Sequence, residues 1–154
     1  MITVENYLKH EVVNIHEKIE KPLIYSLKVE SQLINYAKQG FPFEIVGFLF
    51  GRNNEVTELL PVENLAKNKE RRFEINPLDY LRAENYAIHH DLELIGIYHS
   101  HPDHPAIPSS TDLVFAQEGF SYPIISVQAS GEVQINAWQL EEGRFKQQFI
   151  TIKN

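Results

Sequence analysis

The chain has 154 residues, 43% of them hydrophobic and 23% charged, the proportions of one soluble globular domain large enough to build its own core. Its 14 Lys and Arg against 21 Asp and Glu give a formal net charge of −7, which argues against a phosphate-tracking surface and so against a nucleic-acid substrate. There is no cysteine, which removes disulfides, thiolate metal ligands and a Cys nucleophile. No apolar run approaches the roughly 18 residues that span a bilayer, and the N-terminus lacks the basic-then-apolar order of a signal peptide, so a soluble, cytoplasmic protein with no membrane partner is expected.

In chain order, Val4, Leu8, Val12, Ile15 and Ile19 recur at helical spacing ahead of Pro22, which predicts a helical extension over residues 1–22. Its apolar stripe would pack on its own domain, on a second copy in a homodimer, or on a different partner. Residues 23–154 are expected to form the main domain. Leu23–Lys28 reads as a short strand, and Ser31 as the cap of a helix that Gly40 stops. Phe43–Phe50 is nearly all apolar and predicts a central strand, with Glu55–Val62 returning as its hairpin partner. Arg71–Ile75 reads as another strand, and Asn76-Pro77 opens a helix to about Asp91. Glu93–Tyr98 is a buried strand. A helix starts near Ser110, and Pro123–Ala129, Glu132–Leu140 and Arg144–Ile152 complete the strands, with turns at Gly131 and Gly143. The expectation is an α+β fold, a mixed central sheet flanked by helices.

The stretch that carries chemistry is His99-Ser-His101-Pro-Asp-His-Pro-Ala-Ile-Pro-Ser109-Ser-Thr-Asp112. Residues two apart on a strand point the same way, so His99 and His101 project together from just past the end of the strand. A Pro-rich turn followed by a capped helix can bring Asp112 back to the two imidazoles. Two nitrogens and one oxygen leave one tetrahedral position open on zinc, the pattern of a catalytic site. Amide hydrolysis then needs a separate acid/base. Glu44 is the candidate, a carboxylate opening an apolar strand; the alternative is an N-capping or edge carboxylate. Ser109 either donates to an oxyanion or caps the following helix.

The remaining histidines read differently. His16-Glu17 is not a zincin motif, because Glu20 stands where the second His belongs. His89-His90-Asp91 is a helix C-terminus, and His104 is a wall of the site rather than a ligand. Gly47-x-x-x-Gly51 lacks the Lys-Ser/Thr of a phosphate loop.

Glu44 upstream, then His99-x-His101-x7-Ser109-x2-Asp112, resembles the signature of the JAMM, or MPN+, zinc metalloproteases, over roughly residues 23–152. The resemblance implies that His99, His101 and Asp112 bind one zinc ion, that Glu44 is the general acid/base and that Ser109 stabilises the oxyanion. Within the family the motif is most similar to that of short bacterial members. That likeness implies a peptidase or isopeptidase acting after the C-terminal Gly-Gly of a ubiquitin-like or sulfur-carrier protein. The alternative is a non-catalytic MPN module that binds such a partner.

Overall fold

The computed structural model describes residues 12–154, and its first element departs from the periodicity of the sequence. Val13–Tyr25 is a strand, β1, where a helix is expected, and it runs across the expected boundary at residue 22. It lies parallel to the last strand, with register shifts between Asn14 and Lys18 and between Ile19 and Leu23. Bulges insert extra residues into the ladder, so apolar residues four apart serve a strand and counterfeit a helical stripe. The β-branched Val12, Val13, Ile15 and Ile19 favour that outcome. The earlier part of the stripe, Val4 and Leu8, lies outside the described residues.

The other strands are β2 (Val46–Arg52), β3 (Glu55–Val62), β4 (Glu93–Pro102), β5 (Ser121–Val127), β6 (Val133–Glu141) and β7 (Arg144–Ile152). They form one mixed seven-stranded sheet in the order β1-β3-β2-β4-β5-β6-β7, closed by the pairing of β7 with β1. β4 and β5 are parallel, while β2 is antiparallel to both β3 and β4. Helix α1 (Leu27–Gly40) starts earlier than expected because Ser26, not Ser31, is the cap: its hydroxyl accepts from the Val29 amide at 3.2 Å. Val29, Leu33 and Ala37 then bury one stripe against the sheet. Helix α2 (Pro77–His89) is capped by Asn76, as Asn-Pro predicts, and α3 (Ser110–Phe115) is a short helix after the Pro-rich turn. Among the described residues no helix is long and apolar enough to cross a membrane.

Two further differences shape the site. Residues 71–75 form no strand but belong to a loop wrapped around the buried Asn64. Asn64 Nδ2 donates to the carbonyls of Glu44 and Arg72, both at 2.9 Å, and its Oδ1 accepts from the amides of Ala66 and Glu74. A single amide side chain thus does what a strand partner would have done for that backbone. In addition, β2 starts at Val46, so Phe43 is exposed while Glu44 is buried just ahead of the strand.

Candidate metal centre and active site

Both histidines lie inside β4, not beyond it. The parallel ladder with β5 continues through His99–Ile124, Ser100–Ile125 and His101–Ser126 to Pro102–Val127, and this long-range pairing extends the strand past the point where local sequence ends it. His99 is also in register with Val46 of β2. The two imidazoles therefore stand on one face of the closed sheet, on backbone paired to neighbouring strands, and each is only 1% exposed.

Their Nε2 atoms face each other at 3.0 Å. Asp112 places Oδ1 3.3 Å from His99 Nε2 and Oδ2 3.3 Å from His101 Nε2. His101 Nδ1 donates to the Pro105 carbonyl at 2.7 Å, which leaves Nε2 as the lone-pair nitrogen aimed at the centre. Two imidazole nitrogens and a carboxylate at these separations match a tetrahedral cation with bonds near 2.0–2.1 Å, whose ligands lie about 3.3 Å apart. The donor set therefore fits a metal ion.

Asp112 is aimed by its own helix start. Ser109 is the N-cap of α3, its hydroxyl accepting from the Asp112 amide at 3.2 Å, while Asp112 Oδ2 accepts from the Ser109 amide at 2.8 Å. This reciprocal capping box turns the carboxylate back over the strand. Burial pushes the Asp112 carboxyl up, but His99 and His101 outweigh it and hold it well below the usual carboxylate range.

Glu44 also reaches the centre, 3% exposed, with a carboxylate oxygen within 4.8 Å of a nitrogen of each imidazole. Its backbone is clamped at both ends: the amide donates to the Lys69 carbonyl at 2.6 Å and the carbonyl accepts from Asn64. Glu44 Oε1 is buried with no hydrogen-bond partner among the described residues. Desolvation raises its pKa to about 8, with His101 pulling it down and Asp112 pushing it up. Neither capping nor edge pairing explains this carboxylate, and the cost of burying it needs another reason.

The surrounding shell is partly aromatic. Phe73 packs at 4.6 Å from His99, and His104 stacks at 4.0 Å on His101 with its Nδ1 on the Pro102 carbonyl, the wall position expected of it. Phe73, Tyr80, Pro108 and Phe115 line the apolar side of His99 and Asp112. Two residues in the shell escaped the sequence reading. Asn64 fastens Glu44, and Ser100, fully buried between the histidines, accepts from the Ile45 amide at 2.9 Å while its own amide donates to the Ile45 carbonyl. An Asn ringed by apolar and charged residues carries no local pattern that marks it as buried. His89 and His90 sit at the end of α2, their Nδ1 atoms on the Asn85 and Tyr86 carbonyls, away from the centre.

Residues 26–141 match the family described as prokaryotic homologs of the JAB domain. The chain belongs to that family. This JAB domain is 37% identical over 100 residues to a desampylase of Pyrococcus furiosus, an alignment covering 64% of this chain and 68% of the relative. It is 34% identical over 103 residues to a probable TtuB-protein conjugate cleaving protease of Thermus thermophilus, covering 67% and 66%. A solution structure of a protein from Desulfitobacterium hafniense superposes on the JAB domain with a TM-score of 0.75 at 26% identity, covering 85% of this chain and 92% of that one.

Proposed function

We propose that this JAB protein is a zinc-dependent isopeptidase that hydrolyses the bond after the C-terminal Gly-Gly of a ubiquitin-like or sulfur-carrier protein. The observation that carries the reading is the facing pair of Nε2 atoms at 3.0 Å with the Asp112 carboxylate 3.3 Å from each and a second, unpartnered buried carboxylate beside them. The desampylase and conjugate-cleaving protease among its relatives support the substrate class.

His99, His101 and Asp112 would hold the zinc ion. Asp112 suits the ligand role because its capping box aims it at both nitrogens and the imidazoles keep it ionised. A zinc ion held there supplies Lewis acidity toward a carbonyl and a water acidic enough to ionise near neutral pH. Glu44 is placed beside both imidazoles to take a proton from the attacking water and return it to the leaving amine, and the raised pKa that burial gives it helps the carboxyl hold that proton between the two transfers. The water oxygen adds to the carbonyl carbon of the last Gly, the C–N bond to the following amine breaks, and that amine leaves with the proton that Glu44 carried. The Ser109 hydroxyl uses a lone pair to cap α3, so its own hydrogen is free to donate to the oxyanion. Capping and oxyanion stabilisation are compatible in one hydroxyl.

The test is intact mass of a Gly-Gly-terminated ubiquitin-like protein carrying an isopeptide-linked lysine, incubated with zinc-loaded protein. Loss of the lysine with wild type but not with Glu44→Gln is the expected result. No mass change with a zinc-loaded wild type would favour the non-catalytic binding module.

A further inference from the structure

The loop that clamps Glu44 carries a concentration of positive charge that the rest of the chain lacks. Lys67, Lys69, Arg71 and Arg72 lie within six residues, all exposed, in a chain of net charge −7. Several cations elsewhere have acidic partners, Arg52 with Asp91, Arg82 with Asp79, Lys146 with Glu17 and Glu141, and Lys153 with Glu55, whereas Lys18 bonds the neutral Gln147. The four loop cations have none among the described residues, although the chain holds 21 acidic residues. Glu63, Glu70 and Glu74 punctuate the same loop without forming an ion pair with them.

The loop backbone is built into the active site. The Lys69 carbonyl accepts from the Glu44 amide, the Arg72 carbonyl from Asn64, and the amides of Arg71 and Arg72 both donate to the Asn68 carbonyl. The side chains are thereby presented outward from a fixed turn. Glu70 and Arg71 form one wall of a cleft whose other wall is Pro102, Asp103 and His104. His104 is the ring stacked on His101, so the cleft opens beside the proposed metal centre. The cleft lining itself sets Arg71 beside the carboxylates of Glu70 and Asp103, the latter engaged with the Ala129 amide at 2.7 Å, so the excess positive charge lies on the adjoining loop, at Lys67, Lys69 and Arg72.

We infer that the 67–72 loop is a substrate-docking surface that selects an acidic segment immediately preceding the Gly-Gly tail. The inference rests on the tail-hydrolase reading above. Unpaired cations on a rigid turn at a site mouth steer and orient an anionic partner, and repel a basic one. Rim charges are individually weak, so several acting together are needed for discrimination. The loop thus decides which ubiquitin-like proteins present their tails, whereas the cleft and metal centre act on any Gly-Gly that arrives.

The test uses two fluorescein-labelled peptides ending in Gly-Gly, one with a run of Glu and Asp before it and the other with a run of Lys and Arg. Binding is read by anisotropy with zinc-loaded wild type and with Lys69→Glu/Arg71→Glu/Arg72→Glu, whose melting temperature and zinc content serve as folding controls. Wild type should favour the acidic peptide by about tenfold at low ionic strength, with the preference shrinking as salt is raised. The triple variant should lose or invert it. Equal affinities, no measurable binding of the acidic peptide, or a preference unchanged in the folded triple variant would overturn the inference. A misfolded triple variant would be replaced by Arg71→Ala/Arg72→Ala, which should cut the preference severalfold. The same peptides extended by an isopeptide-linked lysine separate the two readings. Selective binding without cleavage keeps this docking surface and counts against the hydrolase, whereas cleavage of both peptides at equal rates does the reverse.

Discussion

Asn64 donates to the Glu44 carbonyl at 2.9 Å, and through three more hydrogen bonds it ties that carbonyl to the loop around the active site. The side chain is 9% exposed with every donor and acceptor engaged. Asn64→Ala strands two amides and two carbonyls, and a few kcal/mol of stability, about 2–4, should be lost. Urea denaturation should show that loss, and the residual folded protein should turn over more slowly because Glu44 loses a clamp.

Glu44→Gln keeps the shape of the side chain and removes its basicity. Metal content by elemental analysis should match wild type, while turnover falls on the order of 10²–10⁴-fold. Wild-type rates in this variant would take Glu44 out of the proton pathway. Asp112→Ala, by contrast, should lose both metal and activity, along with the carboxylate half of the α3 capping box.

Glu44 also makes a prediction about the metal-free protein. Its carboxyl has a folded-state pKa of about 8 against an ordinary value of 4.5, raised chiefly by burial. The folded state therefore binds more protons than the unfolded state between those values, and the group's favourable contribution, full below pH 4.5, is lost as pH rises through 8. In chelator-treated protein the loss should be of order 3–5 kcal/mol between pH 5 and pH 8. Glu44→Gln has no such group, so its stability advantage over wild type should widen across that range in parallel thermal melts. A constant gap would show that Glu44 is ionised in the folded protein throughout.

Ser109 combines two roles that substitution can separate. Ser109→Gly should cost only a few tenths of a kcal/mol as a helix cap yet lower kcat about 10²–10³-fold if the hydroxyl donates to the oxyanion. Ser109→Thr retains the hydroxyl and should recover most of the rate. Equal kcat in the Gly and Thr variants would reduce Ser109 to a cap.

Zinc should stabilise the folded chain by mass action. At a free concentration about 1,000 times its Kd the gain is ~4 kcal/mol, which His101→Ala should abolish. Calorimetric melts with and without chelator measure the difference.

Local sequence was sufficient wherever one short-range interaction decides the structure. The Glu55–Val62 hairpin follows from the Asn53-Asn54 turn, the start of α2 from Asn76-Pro77, and the shared face of His99 and His101 from strand alternation. The family motif nominated all five proposed site residues, because spacing along the chain is a property of the chain. Tertiary structure alone decided the rest. β1 is a strand because β7 pairs with it from the far end of the chain, and its bulges imitate a helical period. The histidines sit within β4 because β5 extends the ladder beneath them. Asn64 finds Glu44, Arg72 and Glu74 only after the loop has closed, and Glu44 acquires its raised pKa from burial that the closed sheet and that loop supply together. Hydrogen-bond partners and desolvation are set by what surrounds a residue in space, so sequence nominates the groups and the fold gives them their protonation and aim.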